Sequence, residues 1–161
     1  MFAPNVSPRT GDRGSGDRRE RLLPLRKILL VDDSSTSLMM TRILVMHLPR
    51  VRVYTAIDGK EALEKAERHQ PDVIIMDVEM PVMDGYESTL RLGENPETCN
   101  IPVIMLTIHT DIDSVNRGFD CGCVDYLAKP VSMGPLLDSL NRALKRKHTG
   151  KGRGLDSRAI A

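Results

Sequence analysis

The sequence predicts a doubly wound α/β domain, a five-stranded parallel sheet with helices on both faces. Three observations predict it. Short apolar runs alternate with helix-like segments five times between residues 26 and 147. Most of these runs are apolar at every position, as strands buried on both faces are. Several of them end on Asp, Thr or Lys. That gathers reactive groups at the carboxyl ends of the strands, where open parallel sheets carry their sites.

"RKILLVDD" (26–33) is a first strand closing on two acids. "SSTSLMMTRILVMHL" (34–48) opens with Ser and Thr cap candidates and continues with Leu38, Ile43, Val45 and Met46 at helical spacing. "RVRVYTA" (50–56) alternates and is rich in Val and Tyr, a strand signal. It delivers nothing ionisable at its end, which suits the sheet edge. "DGKEALEKAERHQ" (58–70) is a charged amphipathic helix stopped by Pro71, and "DVIIMD" (72–77) is the third strand. "YESTLRLGEN" (86–95) is a short helix broken at Gly93 and Pro96. "IPVIMLT" (101–107), "DIDSVNRGFDCG" (111–122) and "CVDYLAK" (123–129) read as strand, helix and strand. "SMGPLLDSLNRALKRK" (132–147) is the last helix, with Leu136, Leu137, Leu140 and Ala143 on its apolar side.

The core is expected to be aliphatic and rich in Met: aromatics are 3% of the 161 residues, Trp is absent and Met occurs nine times. No apolar run approaches the ~20 residues of a membrane span. The first residues lack the apolar block of a signal peptide, so the expected location is the cytoplasm. Three Cys with no framework spacing suit a reducing compartment, and Cys121 and Cys123 alone make a poor zinc motif. Residues 1–26 carry six Arg and three acids, or +3, and residues 142–161 carry seven Lys or Arg and one Asp, or +6. The overall +1 then leaves −8 for residues 27–141, an acidic middle that argues against nucleic-acid binding by the folded part. The basic ends suit either an anionic partner or plain solvation. Residues 1–25 read as a disordered basic extension, 26–147 as the folded domain and 148–161 as a flexible basic tail.

The strand ends deliver Asp32 and Asp33, then Asp77, then Thr107, then Lys129 followed by Pro130. Each alone has a plainer reading: Asp32 and Asp33 as helix caps, Asp77 as a turn residue, Thr107 as a strand end, Lys129 as a solvated charge. Together at one edge they suggest chemistry. Three carboxylates with one ammonium repel unless a cation compensates. Mg²⁺ takes oxygen ligands and pairs with phosphoryl groups. A carboxylate is also a competent nucleophile toward phosphorus.

The segments "ILLVDDS", "DVIIMDVEMPVMDGYE", "PVIMLT" and "DYLAKP" resemble the receiver domain of two-component response regulators over about residues 26–147. The resemblance implies a (βα)₅ flavodoxin-like fold with strand order 2-1-3-4-5. It implies phosphoryl transfer to Asp77 from a histidine kinase or a histidine phosphotransfer protein. It implies Mg²⁺ held by Asp33, Asp77 and the backbone carbonyl of Glu79, with Asp32 acting through water. Lys129 and Thr107 would bind the phosphoryl group, and Tyr126 would turn inward when Thr107 moves. Pro81 and Gly85 would shape the loop, and Pro130 would follow a cis peptide bond. Partners would read the face built by residues 111–120, 124–129 and 132–146. The protein would then be no enzyme beyond its own phosphorylation and dephosphorylation.

Two residues depart from the pattern at the site. Ile108 stands where a small residue is usual and is expected to narrow access, and His109 lies beside the path of an attacking water. Only about 14 residues follow the last helix, too few for a further core. The leading expectation is therefore a single-domain regulator with an unknown protein target and no DNA-binding domain. Alternatives are a phosphate-independent binding module, a fragment of a larger kinase or effector, and an Asp-nucleophile phosphatase using Asp77 with Glu79.

Overall fold

The structure is a computed structural model and describes residues 25–148. The extensions expected at 1–25 and 148–161 lie outside the described residues except at their inner ends. The elements follow in strict alternation: β1 (Arg26–Val31), α1 (Ser35–Val45), β2 (Val51–Ala56), α2 (Gly59–His69), β3 (Val73–Asp77), α3 (Gly85–Glu94), β4 (Val103–Thr107), α4 (Ile112–Asp120), β5 (Asp125–Ala128) and α5 (Met133–His148). The strands form one sheet in the order β2-β1-β3-β4-β5, and every neighbouring pair is parallel. This is the topology the sequence predicted, with β2 at an edge.

The two-residue period of a strand sorts the core into two layers. On one face, Ile28 and Leu30 of β1, Val73 and Ile75 of β3, and Ile104 and Leu106 of β4 meet Val45 of α1 and Leu136, Leu140 and Ala143 of α5. On the other, Leu29, Val31, Ile74, Met76 and Val103 meet Ala62 and Ala66 of α2 and Leu92 of α3. β3 and β4 are buried at all five positions each, which is why they show no alternation.

The first four helices begin in loops at the carboxyl edge, and short polar side chains fix where. Ser34 caps α1, accepting from the Ser37 amide at 3.3 Å. Asp58, Asp84 and Asp111 cap α2, α3 and α4, accepting from the amides of Glu61, Glu87 and Ser114 at 2.8, 2.7 and 2.9 Å. Such caps satisfy otherwise unpaired N–H groups at helix starts.

The inward face of α1 differs from the expected one. Ile43 and Met46 are 55% and 60% exposed, whereas Val45 and Thr41 are buried and Leu38, Leu44 and Leu48 pack on the core. The helix is apolar around most of its circumference, so periodicity did not choose which stripe turns inward. Gly93 is helical rather than a break, and the helix stops at Glu94, just ahead of Pro96. β4 and β5 begin two residues later than expected, at Val103 and Asp125.

The short edge strand β5 is tied to α5 by an ion pair between Asp125 and Arg142. Burial pushes the Asp125 carboxyl up, but Arg142, Ser139 and the Tyr126 amide together outweigh it and hold the group below its ordinary value. A carboxyl lowered in the folded state stabilises above its unfolded pKa, near 4, and loses that contribution as pH falls through the folded value. Asp125→Asn should therefore cost about 1 kcal/mol at pH 7. The gap to the unsubstituted protein should close in strong acid, as checked by urea denaturation at several pH values.

Candidate functional site

β1 and β3 lie side by side at the centre of the sheet, so their carboxyl ends deliver carboxylates next to one another. Asp32 and Asp77 are 4% and 6% exposed, and Asp33 is exposed. One oxygen from each of the three lies within 4.8 Å of the others. Lys129 reaches in from just past β5. Its Nζ is 2.7 Å from Asp32 Oδ2 and 2.9 Å from Asp77 Oδ1. The Lys129–Pro130 peptide bond is cis, and the Lys129 amide donates to the Thr107 carbonyl at 2.7 Å.

The electrostatics follow from this crowding. Burial is the main influence on Asp77 and raises its carboxyl above the ordinary range; Lys129 opposes the rise and Asp32 adds to it. Burial would depress the Lys129 ammonium, but its hydrogen bonds to Asp32 and Asp77 prevail and hold it above ordinary lysine. Three carboxylates against one ammonium leave two negative charges, and hard oxygen donors in that arrangement fit a divalent ion such as Mg²⁺. Asp32 does not cap a helix, since its Oδ1 accepts from the Ser34 amide at 2.9 Å within the turn and leaves the cap to Ser34.

The loop after Asp77 is shaped by backbone constraints. Gly85 packs so closely that a Cβ there would stand 2.2 Å from the Asp77 carbonyl oxygen. The Met83 amide donates to the Pro81 carbonyl at 2.7 Å, a γ-turn that holds Val82 at φ 68°. A β-branched residue is strained in that region, at a cost of about 1–3 kcal/mol. The Glu79 carboxylate pairs with His109, Oε1 to Nε2 at 2.9 Å.

Thr107 is 1% exposed, and its Oγ1 accepts from the His109 amide at 2.9 Å. Ile108 is 65% exposed, and beside it His109 pairs with Glu79. A cleft of about 790 Å³ runs from Asp33 past Glu79 and His109 to Tyr86 and Arg117. The Tyr126 hydroxyl donates to the His109 carbonyl at 3.2 Å. Two residues that sequence reasoning passed over lie against it. Tyr86 places its hydroxyl 3.2 Å from that of Tyr126, and Gly118 lies under the ring. Gly118 offered a signal, because a glycine inside a helix costs stability and asks for a packing reason. Cys121 and Cys123 are buried and pack with Val78, Tyr86 and Met105.

Comparison with known proteins agrees with this geometry. The family model of the response regulator receiver domain matches residues 28–141. Protein PilH of Pseudomonas aeruginosa is 36% identical over 121 residues, covering 74% of this chain and 98% of PilH. The transcriptional regulatory protein PrrA of Mycobacterium tuberculosis is 34% identical over 123 residues, 75% of this chain and 51% of PrrA. The chain thus spans about half the length of that relative. Among solved structures, the chemotaxis response regulator CheY4 of Vibrio cholerae superimposes with a TM-score of 0.69 at 36% identity, covering 75% of this chain and all of CheY4 (100%). The chain belongs to the response regulator receiver domain family of two-component signalling. Among the described residues no helix is long and apolar enough to cross a membrane.

Gly85→Ala should displace the Asp77 carbonyl and lower stability by about 2–3 kcal/mol, since backbone and not a flexible side chain must yield. Thermal denaturation checks the loss. An alanine variant as stable as the parent would show that the loop tolerates a side chain there.

Proposed function

We propose that this protein is a phosphorylation-activated receiver that accepts a phosphoryl group on Asp77 from a histidine kinase or a histidine phosphotransfer protein. The observation that carries this reading is the buried Asp77 carboxylate, 2.9 Å from Lys129 and within 4.8 Å of two further carboxylates at an open edge. Family membership supports it.

In the transfer, an Asp77 oxygen attacks phosphorus, the nitrogen–phosphorus bond of the donor histidine breaks, and its electron pair returns to the imidazole. Burial raises the Asp77 carboxyl above its ordinary range, and a carboxylate is a competent nucleophile toward phosphorus. The Lys129 ammonium is placed to follow the charge from the carboxylate to a phosphoryl oxygen. Thr107 can offer its hydroxyl to another phosphoryl oxygen from the end of β4. Asp33, Asp77 and the Glu79 carbonyl would hold Mg²⁺ and Asp32 would contact it through water; the ion supplies charge neutralisation at the phosphoryl oxygens. On this reading the protein catalyses only its own phosphorylation and dephosphorylation, works in the cytoplasm, and signals to a protein target through the face of α4, β5 and α5. The phosphoryl group stabilises the arrangement that binds it better, which is a population shift.

Incubation with Mg²⁺ and acetyl phosphate should give an acid-stable, alkali-labile adduct of one phosphoryl group per chain. Asp77→Asn should abolish it, and Thr107→Ala should still form it. An adduct that survives in Asp77→Asn, or no adduct with any phosphodonor, contradicts the assignment.

A further inference from the structure

The outer side of α1 is apolar. Met39, Ile43 and Met46 stand four and then three residues apart, which sets them on one stripe, and Met40 flanks it. They are 66%, 55% and 60% exposed, and Met40 is 57% exposed. A surface helix ordinarily turns such residues to the core, but Leu38, Val45 and Leu48 already fill that place. Large apolar side chains grouped on the outer side of one helix mark an interaction surface.

Charge says what the surface meets. From Ser34 to Ile57 the chain holds Arg42, Arg50 and Arg52 and no Asp or Glu. From Ser139 to Leu155 it holds six Lys or Arg and again no acid. The fold brings these two segments to one edge. Val45 and Leu48 at the end of α1 share a core cluster with Ala143 and Leu144 of α5. The pairing of Arg142 with Asp125, the first residue of β5, places that part of α5 at the amino edge of the sheet. Arg26 begins β1 at the same edge and donates its amide to the Arg50 carbonyl at 2.8 Å. The basic segments 1–26 and 142–161 therefore join the fold beside the end of α1. Asp32, Asp33 and Asp77 and the caps Asp58, Asp84 and Asp111 lie at the opposite, carboxyl edge. Glu94 and Asp120 do end helices at the amino edge, but α3 and α4 pack on the other face of the sheet.

This combination selects among partners. A second copy would set the same cations against each other. Nucleic acid would meet the cations and leave the methionines in water. The cations are spread over several elements and both terminal segments, which suits anions that can rearrange laterally better than the fixed pattern of an acidic protein. An anionic bilayer offers such headgroups together with an apolar boundary for Met and Ile. We infer that the C-terminal end of α1 and the basic amino edge dock on an anionic phospholipid surface, with Ile43 and Met46 entering the headgroup region and the Asp77 edge turned away. The inference does not rest on the phosphoryl-acceptor reading.

The test is sedimentation of the full chain with vesicles of equal parts phosphatidylcholine and phosphatidylglycerol, and with vesicles of phosphatidylcholine alone. The protein should sediment with the mixed vesicles only, and raised salt should release it. Ile43→Ser combined with Met46→Ser should lower the partition coefficient about tenfold. Both side chains are exposed, so thermal denaturation should show the variant as stable as the parent. Lys145→Glu combined with Arg146→Glu should also weaken binding, most at low salt. No binding to the mixed vesicles would overturn the inference, and a polyglutamate complex lost in the Ile43 and Met46 variant would then assign the surface to an acidic protein. Vesicle binding unchanged in that variant would overturn it as well, because the charge of the terminal segments alone would account for the contact.

Discussion

The Lys129 ammonium lodged between Asp32 and Asp77 is the interaction on which the site depends. Two carboxylates this buried, with a third beside them, would not be tolerated as charges without it. Topology makes the bridge possible. The central pair β1 and β3 brings the two acids together, and β5, two strands away, ends where a lysine can reach across β4. An ammonium is compact and can change partners. It balances the acids here, and on the proposed function it would follow a phosphoryl oxygen while a divalent ion, held by the carboxylates, would supply the charge it leaves behind.

The rest of the edge is built to keep this cluster in place. Asp58, Asp84 and Asp111 fix the starts of three helices by capping, so the loops between strand and helix stay short and defined. Gly85 lets α3 begin in direct contact with the Asp77 backbone, and the strained turn at Val82 bends the loop that follows Asp77. His109 joins the two sides of the mouth: its side chain meets Glu79, its amide meets Thr107 and its carbonyl meets Tyr126. A movement of Thr107 is thus felt at the peptide that also holds Tyr126.

Much of this was legible in the sequence because it depends on strand ends. β3 and β4 are apolar throughout, and the change of residue type at Asp77 and Thr107 marks where burial gives way to the reactive edge. Asp32, Asp33, Asp77, Thr107 and Lys129 could be gathered from topology alone. The inward stripe of α1 was not legible, because Ile43 and Met46 are as apolar as the Leu38 and Val45 that turn to the core. The Tyr86–Tyr126 pair joins residues 40 apart; Tyr126 was named through the family resemblance and Tyr86 was not. Such side-chain meetings come from packing, which local pattern does not encode.

The account is tested most directly by urea denaturation of Lys129→Met measured with and without Mg²⁺. Without Mg²⁺ the variant should be about 2 kcal/mol less stable than the parent, because Asp32 and Asp77 lose their shared cation. Saturating Mg²⁺ should recover most of that loss by supplying the missing charge. A loss of the same size with and without Mg²⁺, or no loss at all, would contradict the claim that this site is held by a cation shared between Asp32 and Asp77.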